Sequence, residues 1–251
     1  MGIMLNDTFV CLDCETTGLD RENDHIIEIA LVKFTFKEVL HQQQTLIDPR
    51  RLIPAESVAI HHISQDMIKG QPLVQDTLPQ YLSQLDGAIL VGHKIDFDID
   101  MIANAAKTHL IPTTIQKIPS IDTLRLARLY GESETNSLEG LQNHFSFPKR
   151  VLHRAMEDVL LNIEIFKKLV DILGFDSGAS IMKRLQKPIF MKKMPLGKHK
   201  GLPFKDVPLN YLKWASFQKF DNDLLFSIKT ELKNRRKHPS FDQNSNPFQD
   251  L

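Results

Sequence analysis

Three strand-like segments follow one another within the first 47 residues: FVCLDCE at 9–15, HIIEIALVKFTF at 25–36 and VLHQQQTLI at 39–47. The first interval is a turn carrying Gly18 and Asn23 and the second is shorter still, so neither leaves room for a helical crossover. The chain therefore opens as a meander. Strand-like and helix-like stretches then alternate: a short helix from Pro54 to about Ile60, a helix over 73–85, an apolar strand at 88–92, a helix over 97–109 and a short strand near 118–121. Helices over 123–130 and 138–145 follow, and then one with Ala155, Val159, Ile163, Phe166 and Val170 at helical spacing, stopped by Gly174. A sheet built first, then strands alternating with helices, predicts one α/β domain with helices on both faces.

Acids interrupt these apolar stretches. Alternation along 9–15 puts Phe9, Cys11, Asp13 and Glu15 on one face and Val10, Leu12 and Cys14 on the other. Two acids then project side by side from the end of an otherwise buried strand, an expensive arrangement without a cation. A strand that has merely reached solvent explains Glu15 better than it explains Asp13. The following Thr16, Thr17 and Gly18 form a turn whose amides and hydroxyls suit a terminal nucleotide, although the same tripeptide is an ordinary turn signal. Asp98 falls at a strand-to-helix junction, either as a ligand aimed at the sheet edge or as an acid favoured by the helix dipole. Asp96 and Asp100 rival it on local grounds. His153 and Asp158 stand five residues apart, about 500° of helix. That spacing places His153 in or before the first turn and lets Asp158 point inward from the second, with Glu157 better suited to solvent. Asp158 then serves as a metal ligand and His153 as a base, the plain alternative for His153 being a helix-start histidine met by solvent.

The formal net charge of zero conceals a division. Residues 1–182 hold 25 acids and 16 Lys or Arg, net −9, and residues 183–251 hold 6 acids and 15 Lys or Arg, net +9. A front that supplies carboxylates and a rear that attracts a polyanion suit an enzyme acting on nucleic acid; two modules docking on opposite charge is the alternative. Cys11 and Cys14 lie three apart on a strand, hence on opposite faces, and read as reduced cysteines. Neither a membrane-spanning run nor a secretory signal is present, so a cytoplasmic location is the default expectation.

The strings VCLDCETTGL, GHKIDFDI and HRAMEDV resemble the three motifs of the DEDD superfamily of 3′–5′ exonucleases, in its histidine-bearing branch. The resemblance covers about residues 7–172, extends to AIHHIS at 59–64, and implies a ribonuclease H-like mixed β-sheet flanked by helices. It also implies that Asp13, Glu15, Asp98 and Asp158 hold two Mg²⁺ or Mn²⁺ ions, that His153 is the general base, and that His61 borders the terminal nucleotide. One departure stands out: the branch usually has His-Asn where this chain has His93-Lys94. The exchange replaces an amide that donates and accepts with a cation that only donates, and Lys94 becomes either a phosphate contact or a solvent-facing lysine.

The rear carries its own pattern. From Lys183 to Lys205 there are eight Lys or Arg and no acid, a run that overlaps MPLGKHKGLPFKDVPLNYLKWA at 194–215. This resembles the small C-terminal module of the exodeoxyribonuclease X group. Gly197 and Gly201 predict a turn; Leu212, Trp214 and Phe217 are expected in the module's core; Lys198 and Lys200 are candidate nucleic-acid contacts. The expected organisation is an exonuclease domain over 1–175, a linker over 176–190, the module over 191–236 and an unstructured polar tail over 237–251, whose NPFQDL is a candidate peptide ligand. The implied reaction is release of 5′-mononucleotides from single-stranded or frayed 3′ DNA ends, in repair or end processing. An RNA 3′ exonuclease and a non-catalytic nucleic-acid-binding or polymerase-associated protein are the alternatives.

Overall fold

The computed structural model describes residues 7–150 and 152–237, and the chain divides into two units, Met1–Lys187 and Pro188–Leu251. In the first unit β1 (Phe9–Thr16), β2 (Ile26–Phe34), β3 (Val39–Leu46), β4 (Ile89–Gly92) and β5 (Ser120–Asp122) form one sheet in the order β3-β2-β1-β4-β5. The three leading strands pair antiparallel, and β4 and β5 join in parallel. The sheet is mixed and helices flank it, the architecture that the segment order predicts.

β1 lies at the centre of the sheet, and its alternation feeds two cores. Phe9 meets Phe34, Phe36 and Phe166 at ring-centroid distances of 5.5, 5.8 and 5.2 Å, Phe166 coming from α7 (Ala155–Leu173). On the opposite face Val10, Leu12 and Cys14 pack with Leu78 and Tyr81 of α3 (Val74–Ser83) and with Ile99, Ile102 and Ala106 of α4 (Asp96–Thr108). Burying each of these large side chains stabilises by about 1.5–3 kcal/mol, so the strand is gripped from both sides. Polar ties add register to α7: the Thr123 hydroxyl donates to Asn162 Oδ1 at 2.6 Å and Asn162 Nδ2 to Cys11 Sγ at 3.5 Å. Cys11 and Cys14 are buried and free.

α1 (Ala55–His61) and α2 (Gln65–Ile68) follow the meander, and α5 (Thr123–Tyr130) and α6 (Leu138–His144) precede α7. Gly174 ends α7 in the left-handed region at φ 68°, where a Cβ would be strained. The stretch 176–190, expected as a linker, instead carries α8 (Gly178–Leu185). A reciprocal Ser177–Ser180 capping box starts it, Ile181 and Leu185 are buried, and it packs beside β5. The Gly178 amide donates to Asp7 Oδ2 at 2.7 Å, and Arg125 donates to the Lys187 carbonyl at 3.1 Å, so α8 belongs to the first unit.

The second unit has a core of Met191, Met194, Phe204, Val207, Leu212, Ala215, Leu224 and Ile228. It is built from a turn bridged at Lys193 and Pro203, α9 (Leu209–Ala215) and α10 (Asn222–Lys237). Leu212 is buried there, but Trp214 is 53% exposed and Phe217 87% exposed. The expectation that both aromatics fill the core is corrected: α9 is short, and the stripe it buries is Leu212 and Ala215, one face away from Trp214. Most of the expected polar tail, with NPFQDL, lies outside the described residues.

Candidate active site

β1 carries Asp13 opposite Ala30 and Glu15 opposite Glu28, and its register with β2 breaks just beyond Glu15. The strand thus delivers its two acids where regular pairing stops. Asp158 enters from the first turn of α7, 7% exposed, and its Oδ2 accepts the His153 amide at 3.0 Å. One carboxylate oxygen from each of Asp13, Glu15 and Asp158 lies within 4.8 Å of the others. Asp98 arrives from the opposite side on the first turn of α4, 4% exposed, with its Oδ1 accepting the Cys14 amide at 2.9 Å. It is therefore bound to the main chain between the two β1 acids. The rivals are placed elsewhere: Asp96 is exposed, Asp100 pairs with Arg21, and Glu157 pairs with Arg150 at 3.2 Å.

These carboxyls resist ionising together. Burial, then the charges of Asp98, Asp158 and Glu15, holds Asp13 well above the usual carboxylate range. Burial and Asp158 push Glu15 to about 7, burial pushes Asp98 to about 8, and burial takes Asp158 to about 6 against the opposing pull of His153. A cluster of oxygen donors carrying excess negative charge fits hard divalent cations, Mg²⁺ or Mn²⁺, and lacks the sulfur or nitrogen ligands that soft metals prefer. His153 is exposed, with φ 65°, immediately before α7. Its amide is held on Asp158, which places the residue beside the cluster.

Glu28 and Arg154 complete the site, and sequence reasoning missed both. Glu28 is fully buried on β2 and accepts Arg154 Nη2 at 2.8 Å, Arg154 Nε at 3.2 Å, the Ala155 amide at 3.0 Å and Gln44 Nε2 at 2.8 Å. Burial alone would raise its pKa, but these donors outweigh it and hold the carboxylate below its ordinary value. Glu28 thereby fixes the chain at 154–155, next to His153. The available signal was a lone acid inside the apolar run IIEIALV, the same anomaly that marks Asp13.

The substrate candidates divide. Thr17 is buried, its hydroxyl donating to Asp24 Oδ1 at 2.7 Å and accepting the His25 amide at 3.0 Å. Its side chain holds the turn and is not displayed to a nucleotide, a correction to the expectation. The Thr16 hydroxyl donates to the Gly18 carbonyl at 2.6 Å, and a Cβ at Gly18 would fall 2.4 Å from Asp24 Oδ2, so this tight turn needs a glycine. His61 is buried at the end of α1, its Nδ1 accepting the Ile63 amide at 3.0 Å, and burial lowers its pKa. The proton of the neutral ring is then on Nε2, which has no hydrogen-bond partner among the described residues. Burial and Lys94 bring His93 down to about 4. Lys94 is exposed at φ 64°, its amide donating to Asp122 Oδ1 at 2.9 Å. Lys198 and Lys200 lie in the second unit, on the exposed turn.

Residues 10–166 match the family profile described as Exonuclease, named for RNase T, and residues 182–227 match one named for a quorum-sensing-regulated virulence factor. The chain is similar to a PolC-type DNA polymerase III of Caldanaerobacter subterraneus subsp. tengcongensis, at 34% identity over 76% of this chain and 14% of that protein. It therefore spans about one seventh of that relative's length. It is also similar to DNA polymerase III subunit epsilon of Aquifex aeolicus, at 32% identity over 74% of this chain and 94% of that one. Among solved structures, exonuclease X in complex with 5′-overhanging duplex DNA matches at TM-score 0.54 and 24% identity, covering 71% of this chain and 99% of that one. Escherichia coli exonuclease I in complex with a dA16 oligonucleotide matches at TM-score 0.60 and 17% identity, covering 72% and 43%. These two likenesses establish the ribonuclease H-like fold.

Proposed function

The chain belongs to the exonuclease family named for RNase T, and from that premise we propose that it is a metal-dependent 3′–5′ exonuclease releasing 5′-mononucleotides from single-stranded or frayed DNA ends. The observation that carries the reading is the meeting of Asp13, Glu15 and Asp158 within 4.8 Å, with buried Asp98 bound to the backbone between the first two. The choice of DNA rests on the relatives, which include DNA polymerase III proteins and exonucleases solved with DNA.

Asp13, Glu15, Asp98 and Asp158 would hold two Mg²⁺ or Mn²⁺ ions, which when bound supply Lewis acidity to the phosphodiester and stabilise charge on the leaving oxygen. His153, tethered through its amide to Asp158, takes the proton of the attacking water. Glu28 and Arg154 keep that tether in place. The backbone of the Thr16–Gly18 turn and His61 border the terminal nucleotide, Lys94 contacts a phosphate beside the first unit, and Lys198 and Lys200 contact phosphates at the second unit.

The test is degradation of matched 5′-labelled DNA and RNA strands in Mg²⁺, Mn²⁺ or EDTA. Stepwise shortening from the 3′ end, faster on DNA and absent in EDTA, is expected. Internal cuts at the earliest times, or undiminished cleavage in EDTA, would overturn the reading, and faster RNA cleavage would reassign the substrate.

A further inference from the structure

The C-terminal unit presents an aromatic and cationic cleft that the catalytic cluster does not use. Because α9 buries Leu212 and Ala215, Trp214 is left exposed beside Tyr211, which is half-buried against the core, with ring centroids 5.2 Å apart. The turn between Gly197 and Gly201 closes on one end. There His199 meets Tyr211 edge-on at 4.5 Å, and Lys198 Nζ lies 5.4 Å from the Tyr211 ring centre. Gly197 sits at φ 72°, and a Cβ there would fall 2.5 Å from the Tyr211 hydroxyl; the turn reaches the tyrosine only because position 197 has no side chain. Pro208 and Asn210 complete the lining of an open cleft of about 570 Å³, within the usual span of roughly 300–1,000 Å³ for small-ligand sites. His199 Nε2 is buried there without a hydrogen-bond partner among the described residues. Residues 188–237 carry 12 Lys or Arg against 4 acids.

We propose that this cleft is a single-stranded nucleic-acid site, in which one unpaired base stacks on the exposed face of Trp214 while Lys198 and Lys200 take the adjoining phosphates. The inference deepens the nuclease reading and rests on it. A flat aromatic face flanked by cations is the arrangement that holds single strands without demanding a sequence, because every base offers a π-face. The positive charge of the unit complements a polyanion and repels a basic partner. An acidic peptide would satisfy the lysines but brings no flat group to cover the indole.

Trp214 is the single tryptophan of the chain, so its emission reports on this cleft. The full chain is held in EDTA and titrated with a thymidine strand of about twelve nucleotides, with an abasic strand of equal length and charge, and with oligoglutamate. Saturable quenching by the thymidine strand alone is expected. Trp214→Leu should weaken binding of the labelled thymidine strand, read by anisotropy, about 5- to 150-fold, the range for one base on one aromatic face. Trp214→Phe should restore most of it. Equal quenching by the base-bearing and abasic strands, or quenching by oligoglutamate in place of DNA, would overturn the proposal. Cleavage by the unaltered chain in Mg²⁺ is scored in parallel. Cleavage without quenching refutes the cleft and leaves the nuclease reading standing, whereas quenching without cleavage does the reverse.

Discussion

Glu28 lies outside the proposed catalytic set and holds the chain beside it. Its carboxylate accepts two bonds from Arg154 and one from the Ala155 amide, so Glu28→Gln leaves Arg154 without its partner and loosens the chain beside His153. Breaking a buried pair costs about 3–5 kcal/mol, and the partial exposure of Arg154 puts this case toward the low end. Urea unfolding should show that loss, and steady-state kinetics should show kcat falling while KM holds; an unchanged kcat in the folded variant would deny Glu28 a positioning role. The acids themselves link metal to pH. Asp98, Asp158 and Glu15 titrate at about 8, 6 and 7 in the fold, raised from 3.8, 3.8 and 4.5. Folding favours their protonated forms, so the stability they contribute is full below about pH 4 and is lost as pH rises through 6 to 8. Mg²⁺ requires the ionised forms, and its thermal shift should be small near pH 5 and large near pH 8. A shift that does not grow with pH would break the link. Asp13 was legible as an acid in an apolar strand. Asp98 was not separable from Asp96 and Asp100 locally, because the Cys14 amide that selects it lies 84 residues away in sequence.

Elements with a strong period were legible, and those set by a few contacts were not. β1, β2 and α7 follow from apolar alternation and helical spacing, whereas α2 has only four residues, too short for a period to stand out, and α8 was passed over although it is as long as the α5 that was read. In α9 the mistake was one of phase: 212 and 215 form one stripe and 211 and 214 the next, and size alone favoured the tryptophan. The turn into α4 offers a similar lesson. Lys94 occupies the left-handed region at φ 64°, where Asn is far better tolerated than most residues. The asparagine usual in the resembling family thus suits a backbone, and comparing only its amide with an ammonium overlooks that. Lys94→Asn should gain up to about 1 kcal/mol and so raise Tm by about 2–4 °C. Calorimetry showing no gain would mean that the Asp122 bond to the Lys94 amide already absorbs the strain.

At the scale of the whole molecule, charge and contact divide the chain at nearly the same place, the sign changing near 183 and the units separating after Lys187. If the basic unit grips phosphates, a chain ended at Lys187 should still cut very short strands but bind long ones more weakly and with less dependence on salt. Each lost single-strand contact lowers the slope of log K against log[salt] by about 0.7, so three or four are readily measured. A folded truncation with unchanged affinity and slope would make the second unit an attachment with another purpose. Sequence located this boundary by charge and misplaced the end of the first unit, because the helix that closes it announces itself through Asp7, at the far end of the chain. That contact between Asp7 and Gly178 sets the start of the described chain beside the first turn of α8, the last helix of the first unit. A domain whose entry and exit adjoin can be spliced into a loop of a larger protein without tearing its sheet. The catalytic unit is thus built as a portable cassette, consistent with a similar sequence occupying 14% of a PolC-type polymerase.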